Sequence, residues 1–274
     1  MSSVPDLTMN DGRTIPQLGF GVYQIPAEDT ERLVLEAIEV GYRHIDTAWG
    51  YFNEAGVGAA VRTCGLARDD LFVTTKVWRH GRDAAIASCE ASLEALGLEV
   101  LDLLLIHWPL PAQDLYVETW EAFVELRDTG RVRSIGVSNF DPEHIDRIVA
   151  ATGVVPAVNQ VELHPFFQQR PLREYDDRMG VLTEAWGPIA RGRVADDPAL
   201  VVIADSYGRT PAQITLRWEL QHGIIAIPKS VTPSRIASNF DVLDFVLSDD
   251  DMAMIDALDR ADGRFGPLPS EMNG

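Results

Sequence analysis

The chain has 274 residues, 46% of them hydrophobic and 24% charged, values of an ordinary globular protein able to bury a large core without metals or disulfides. Its formal net charge of -19 opposes non-specific binding to nucleic acid or anionic lipid, so any anionic ligand needs a local basic pocket. Cys64 and Cys89 lie in helical patterns without ligand-like spacing and read as reduced thiols, no segment approaches the roughly 20 apolar residues that span a bilayer, and the opening MSSVPDLTMNDGRT lacks the basic and apolar regions of a signal peptide, so a cytoplasmic protein is expected.

In chain order, residues 7–9 and 13–15 flank Asn10, Asp11 and Gly12, a turn that tolerates positive φ, and predict a β-hairpin plugging one end of the fold. Short apolar runs then alternate with longer helical patterns, the form of repeated strand–helix units around a parallel sheet. Eight strands are predicted near 19–22, 44–46, 72–76, 103–107, 134–137, 157–160, 181–185 and 224–228. Helices are expected over 30–40, 83–96, 117–129, 142–151 and 211–222, the last with Thr210 as N-cap and Pro211 in its first turn. A final helix near 249–258 precedes a loop from Ala261 to Gly274. Together these predict one α/β domain over residues 1–274, a (β/α)8 TIM barrel with an N-terminal β-hairpin and a short C-terminal loop. GFGVYQ at Gly19 and GVGAAV at Gly56 are not dinucleotide fingerprints: the first lacks the third small residue, and the second lies inside a helical pattern.

Reactive groups of such a barrel gather at the C-terminal ends of its strands. The second predicted strand ends in Asp46 with Tyr51 just beyond it, the third in Lys76, the fourth in His107 and the sixth in Gln160, while the fifth runs into Ser138 and Asn139 and the eighth reaches Lys229. Lys76 closes an apolar strand and needs a carboxylate, for which Asp46 is the partner; alone, that pair could merely tie two strands together. Tyr51 changes the reading, because a nearby ammonium draws a phenol from a pKa of about 10 towards the neutral range of a general acid. Beside them His107, by itself an ordinary core histidine, becomes a donor able to orient a carbonyl. His44 and Asp46 alternate on one strand and raise the alternative of a metal-dependent barrel hydrolase, but the other histidines lack ligand spacing and Lys76 would repel the ion, so no metal is expected.

GYRHIDTAWGYFNEAGVG, TTKVW, LLLIHWP, GVSNF, NQVELHP, AWGPIA and IPKSVTPSRIASN, in this order between about Leu7 and Asp262, resemble the aldo-keto reductase superfamily and within it bacterial members similar to 2,5-diketo-D-gluconate reductases. The resemblance implies an oxidoreductase that reduces aldehydes or ketones by hydride transfer from NADPH. It makes Asp46, Tyr51, Lys76 and His107 a catalytic tetrad, with Tyr51 as general acid, Lys76 lowering its pKa, Asp46 holding Lys76 and His107 setting the carbonyl geometry. It also implies that Ser138, Asn139 and Gln160 bind the nicotinamide carboxamide and Trp186 stacks on the ring. By the same resemblance Gly187, Pro188, Ile189, Ala190 and Arg191 wrap the pyrophosphate, Lys229, Ser230, Val231, Thr232 and Arg235 take the ribose 2'-phosphate, and Asn239 reaches the adenine. Ser238 stands where the family usually carries glutamate. Tyr23, Trp49, Trp78 and Trp108, with His107, are expected around a small-molecule carbonyl substrate and favour apolar or flat compounds over bare sugars. A monomer without nucleic-acid or membrane partners is expected. The alternative that fold alone does not remove is an NADPH-binding regulatory protein with little turnover.

Overall fold

The computed structural model describes residues 4–272, so residues 1–3 at the start of the predicted domain, and Asn273 and Gly274 at the end of its predicted C-terminal loop, lie outside the described residues. Strand β1 (Asp6–Thr8) pairs antiparallel with β2 (Thr14–Pro16), and Gly12 at φ 84° turns the chain between them. Hydrogen bonds tie this hairpin beneath the barrel, from Asn10 Nδ2 to the Pro156 carbonyl at 2.8 Å and from Ser134 Oγ to Asp11 Oδ2 at 2.6 Å. Its buried Met9 and Ile15 pack against Leu103, Leu105, Val158 and Ile225, which makes it the predicted plug.

Strands β3 (Gly19–Gly21), β4 (His44–Asp46), β5 (Phe72–Val77), β6 (Leu101–Ile106), β7 (Val132–Ser138), β8 (Val158–Glu162), β9 (Leu182–Trp186) and β10 (Ile225–Ala226) run parallel, each beside the next in sequence. A parallel bridge between Leu18 and Ala226, with the Gly21 N–H donating to the Pro228 carbonyl at 3.1 Å, joins the first strand to the last and closes the barrel. β10 is shorter than the predicted run because Pro228 has no N–H to extend the ladder. His107 falls one residue past β6 instead of within it.

The outer layer comprises α1 (Ala27–Val40), α2 (Glu54–Thr63), α3 (Arg82–Leu96), α4 (Tyr116–Asp128), α5 (Pro142–Thr152), α6 (Arg170–Met179), α7 (Pro198–Tyr207), α8 (Pro211–Gln221), α9 (Pro233–Phe240) and α10 (Asp249–Asp256). Thr210 caps α8 as expected: its Oγ1 accepts the Gln213 N–H at 3.3 Å while Gln213 Oε1 accepts the Thr210 N–H at 3.0 Å, a reciprocal box. α1 starts three residues before the predicted 30–40, directly after Pro26. α6 buries Leu172 and Asp176 and keeps Tyr175 and Met179 half-buried on the same face. The GVGAAV stretch is inside α2, where Gly58 lets the helix touch α3: a Cβ there would stand 2.0 Å from the Leu96 carbonyl oxygen. Cys64 and Cys89 are free, and burial pushes the Cys89 thiol up to about 12, which keeps it unreactive.

Candidate active site

β4, β5 and the turn after β4 converge on one rim. Side chains alternate across a strand, so Asp46 and Lys76 both point into the barrel, where Lys76 is fully buried. Lys76 Nζ donates to Asp46 Oδ1 and Oδ2 at 2.6 and 2.8 Å and to the Thr47 carbonyl at 2.9 Å, with Tyr51 Oη at 3.5 Å. Burial opposes the ammonium, but Asp46, with help from Tyr51 and Glu184, outweighs it and holds Lys76 above the ordinary lysine range. Tyr51 ends a single 3-10 turn, Trp49–Tyr51, and its ring centroid lies 5.0 Å from that of Tyr23 and 5.7 Å from that of His107. His107 in turn sits edge-on to Trp78 at 5.1 Å.

The electrostatics correct one expectation. Burial, opposed by Lys76 but aided by Asp46, pushes the Tyr51 phenol up to about 12 instead of drawing it towards neutrality. The Asp46 carboxylate, at 2.6 Å, is nearer the ammonium than the phenol at 3.5 Å and cancels much of its field there. Tyr51 is therefore a fully protonated donor at neutral pH. Burial and the Lys76 charge together hold His107 well below the usual histidine range, so its imidazole is neutral.

The residues predicted for the carboxamide and nicotinamide meet beside this group. Ser138 Oγ donates to the Gln160 carbonyl at 2.8 Å, and Asn139 Nδ2 donates to Ser138 Oγ at 3.0 Å and to the His107 carbonyl at 2.9 Å. Asn139, at a left-handed φ of 62° that asparagine tolerates, also accepts the Trp186 Nε1–H on its Oδ1 at 2.8 Å. Its amide thus wires Trp186 to the strand ends and is committed to protein partners. Gln160 Nε2 donates to Asp46 Oδ2 at 2.8 Å and Glu184 Oε2 at 2.9 Å, which leaves Gln160 Oε1 as the open acceptor.

Further round the rim, Gly187 (φ 66°) and the consecutive Ala190 (φ 48°) and Arg191 (φ 54°) hold the loop after β9 in a left-handed conformation that costs of order 1–3 kcal/mol per non-glycine residue, a strain that clusters at ligand clamps. Pro188 and Ile189 complete this loop. Lys229 is half-buried and Arg235 exposed, and among the described residues neither has a carboxylate within ion-pair distance. Between them the Thr232 N–H donates to Ser230 Oγ at 3.0 Å, Val231 is exposed, and Asn239 is buried on α9. Of the predicted substrate aromatics, Tyr23 is exposed, Trp49 and Trp78 are half-buried, and Arg79 lies 5.0 Å over the Trp49 ring. Trp108, directly after His107, is buried at 7% exposure.

Three features escaped the sequence reading. Glu184 faces the tetrad from β9, and Glu162, two residues after Gln160 on β8, accepts the Phe265 and Gly266 N–H groups, each at 2.7 Å, with His164 Nε2 at 3.2 Å. The third is the tail itself: Phe265 stacks on His164 at 5.0 Å, meets Trp186 edge-on at 5.7 Å and lies under the Arg191 guanidinium at 4.4 Å. The period-two spacing of Gln160 with Glu162 and of Glu184 with Trp186 was the available signal for the two carboxylates. His44, the metal candidate, is held down to about 3, chiefly by burial, and among the described residues no group of three or more His, Cys, Asp or Glu could hold a metal ion. No helix among the described residues is long and apolar enough to cross a membrane.

Residues 17–260 match the aldo/keto reductase family. An aldo-keto reductase of Mycolicibacterium smegmatis is 52% identical over 271 residues, 98% of each chain, and the methylglyoxal reductase DkgA of Escherichia coli (strain K12) is 45% identical with 100% of both chains covered. Among solved structures, Gox0644 has a TM-score of 0.96 at 50% identity over 99% of both chains, and a variant of it in complex with NADPH has a TM-score of 0.96 at 49% identity. The closed parallel barrel, the buried lysine–aspartate pair beneath a tyrosine and these full-length matches agree, and the chain belongs to the aldo/keto reductase family.

Proposed function

We propose that this chain is an NADPH-dependent carbonyl reductase with Tyr51 as general acid. The observation that carries the reading is the Tyr51 hydroxyl 3.5 Å from an ammonium that Asp46 grips with both carboxylate oxygens. The residues present fit the cofactor: in a chain of net charge -19, Lys229 and Arg235 lie on either side of the start of α9 with no carboxylate in ion-pair distance among the described residues, the Trp186 indole is pinned by Asn139, and Gln160 Oε1 is not engaged by the bonds that hold its Nε2. When bound, NADPH supplies the hydride delivered to the carbonyl carbon. Lys229, Ser230, Val231, Thr232 and Arg235 would hold its 2'-phosphate, the loop from Gly187 to Arg191 its diphosphate, Asn239 its adenine, Trp186 the face of the nicotinamide, and Gln160, with Ser138 and Asn139 behind it, the carboxamide.

In this scheme neutral His107 donates a hydrogen bond that holds the substrate carbonyl oxygen beside Tyr51. Tyr51 passes its phenolic proton to that oxygen as negative charge grows there, and the Lys76 ammonium stabilises the phenolate left behind. Asp46 keeps Lys76 charged and in place, and water returns the proton to Tyr51. Tyr23, Trp49 and Trp78 surround the entrance and suit a small or flat carbonyl compound. We place the protein in the cytoplasm as a monomer of one domain, with a small-molecule substrate and no nucleic-acid or membrane partner.

The test is NADPH consumption with methylglyoxal, aromatic aldehydes and keto sugars. Methylglyoxal belongs in the panel because the similar E. coli protein is named a methylglyoxal reductase. Turnover with at least one compound supports the proposal. NADPH binding without turnover on any of them would put the regulatory reading in its place.

A further inference from the structure

The centre of the barrel holds a carboxylate that the tetrad does not require. Glu184 is fully buried on β9; its Oε2 accepts a 2.9 Å hydrogen bond from Gln160 Nε2, and its Oε1 has no hydrogen-bond partner among the described residues. Gln160 Nε2 also donates to Asp46 Oδ2 at 2.8 Å, so both hydrogens of one amide go to carboxyl groups. The charge balance is informative. Asp46 and Lys76 cancel, and His44, whose Nε2 lies 3.6 Å from Glu184 Oε1 and 3.0 Å from Thr74 Oγ1, is neutral, so an ionised Glu184 would leave one uncompensated charge in the dry interior. Burial and the Asp46 charge accordingly push the Glu184 carboxyl far above the usual glutamate range, against the weaker pull of Gln160 and Lys76.

We propose that Glu184 is a positioning residue that takes the second hydrogen of the Gln160 amide and so fixes Gln160 with its carbonyl oxygen, not its NH2, towards the nicotinamide carboxamide. Asp46 alone satisfies only one of the two hydrogens, and the second, left without an acceptor, could swing outward and stand as a donor beside the carbonyl oxygen. With both hydrogens committed, the site accepts a hydrogen bond and cannot donate one, which selects for a carboxamide N–H. The inference rests on the proposed NADPH site.

The experiment measures equilibrium binding of NADPH and of its 3-acetylpyridine analogue, which lacks the carboxamide NH2, to wild type, Glu184→Leu and Glu184→Gln. Wild type should bind NADPH roughly tenfold more tightly than the analogue, the usual effect of leaving one buried acceptor unpaired. Glu184→Leu, an apolar replacement of similar size, should lower that ratio to within about threefold by freeing the Gln160 amide. Glu184→Gln retains a neutral acceptor for Gln160 and should keep the wild-type ratio. A wild-type ratio in Glu184→Leu, or loss of the ratio in Glu184→Gln, overturns the inference; a wild type that binds NADPH and analogue equally also does. A wild type that binds no NADPH overturns the proposed function along with it.

Discussion

Asp46→Asn preserves the outline of the side chain and removes its charge. In the native site that carboxylate accepts bonds of 2.6 and 2.8 Å from Lys76 and one of 2.8 Å from Gln160, all of them buried. At an effective dielectric of about 20, the attraction across the 2.6 Å contact is about 6 kcal/mol. The variant can relieve part of this by releasing the Lys76 proton, so the expected loss of stability is about 3–5 kcal/mol, the range for breaking a buried pair. At roughly 2–4 °C per kcal/mol for large domains, Tm should fall by roughly 6–20 °C. Because Lys76 is held above its ordinary pKa, the lysine's share of the native contribution is fully present just below about pH 10 and fades as pH rises through the higher folded value. Denaturant melts of Asp46→Asn, Lys76→Met and the double variant provide the cycle. The double variant strands no charge and should be more stable than Asp46→Asn alone. A single variant that loses less than about 1 kcal/mol, as an exposed pair would, or a double variant whose loss is the sum of the two, refutes the reasoning.

Alcohol oxidation needs Tyr51 as its phenolate, so with the phenol near 12 its rate should climb about tenfold per pH unit between about pH 8 and 10, and a plateau near neutrality in a pH–rate profile would contradict this. Lys229→Ala and Arg235→Ala should each weaken NADPH binding about 10-fold or more and leave NADH binding within about twofold, as fluorescence titration of both cofactors would show. For Glu162, burial raises the pKa, but the His164 hydrogen bond and the N–H groups of Phe265 and Gly266 outweigh it and leave it lowered. Its hold on the tail is thus present above the ordinary glutamate pKa of about 4.3 and is lost as pH falls through the lower folded value. Limited proteolysis should accordingly cut the tail of Glu162→Gln several-fold faster than wild type at pH 7.

Much of this was legible because strand ends announce themselves chemically. Asp46, Lys76 and Gln160 each break an apolar run at its C-terminal end, and their meeting follows from the parallel barrel alone. Thr210 with Pro211 marked the start of α8 for a local reason, the capping box. What failed depended on neighbours distant in sequence. The pKa of Tyr51 is decided by burial and by how much of the Lys76 field Asp46 screens, and no spacing encodes that balance. Glu184 reads as one polar residue in a short strand until β8 supplies Gln160, and Glu162 gains its role only from backbone N–H groups of Phe265 and Gly266, about a hundred residues later. Gly266 shows the same dependence: a Cβ there would press within 2.6 Å of both Glu162 Oε2 and the Trp186 ring, a constraint invisible before the tail is folded.

The measurement closest to the central claim compares wild type with Tyr51→Phe for NADPH binding and for single-turnover reduction of the best carbonyl substrate. The substitution removes one oxygen at the position 3.5 Å from Lys76 and leaves the ring contacts with Tyr23 and His107 available. The account predicts cofactor binding within about twofold of wild type and a reduction rate lower by about 10²–10⁴-fold, the usual contribution of a general acid. A Tyr51→Phe protein that reduces the carbonyl as fast as wild type would contradict it.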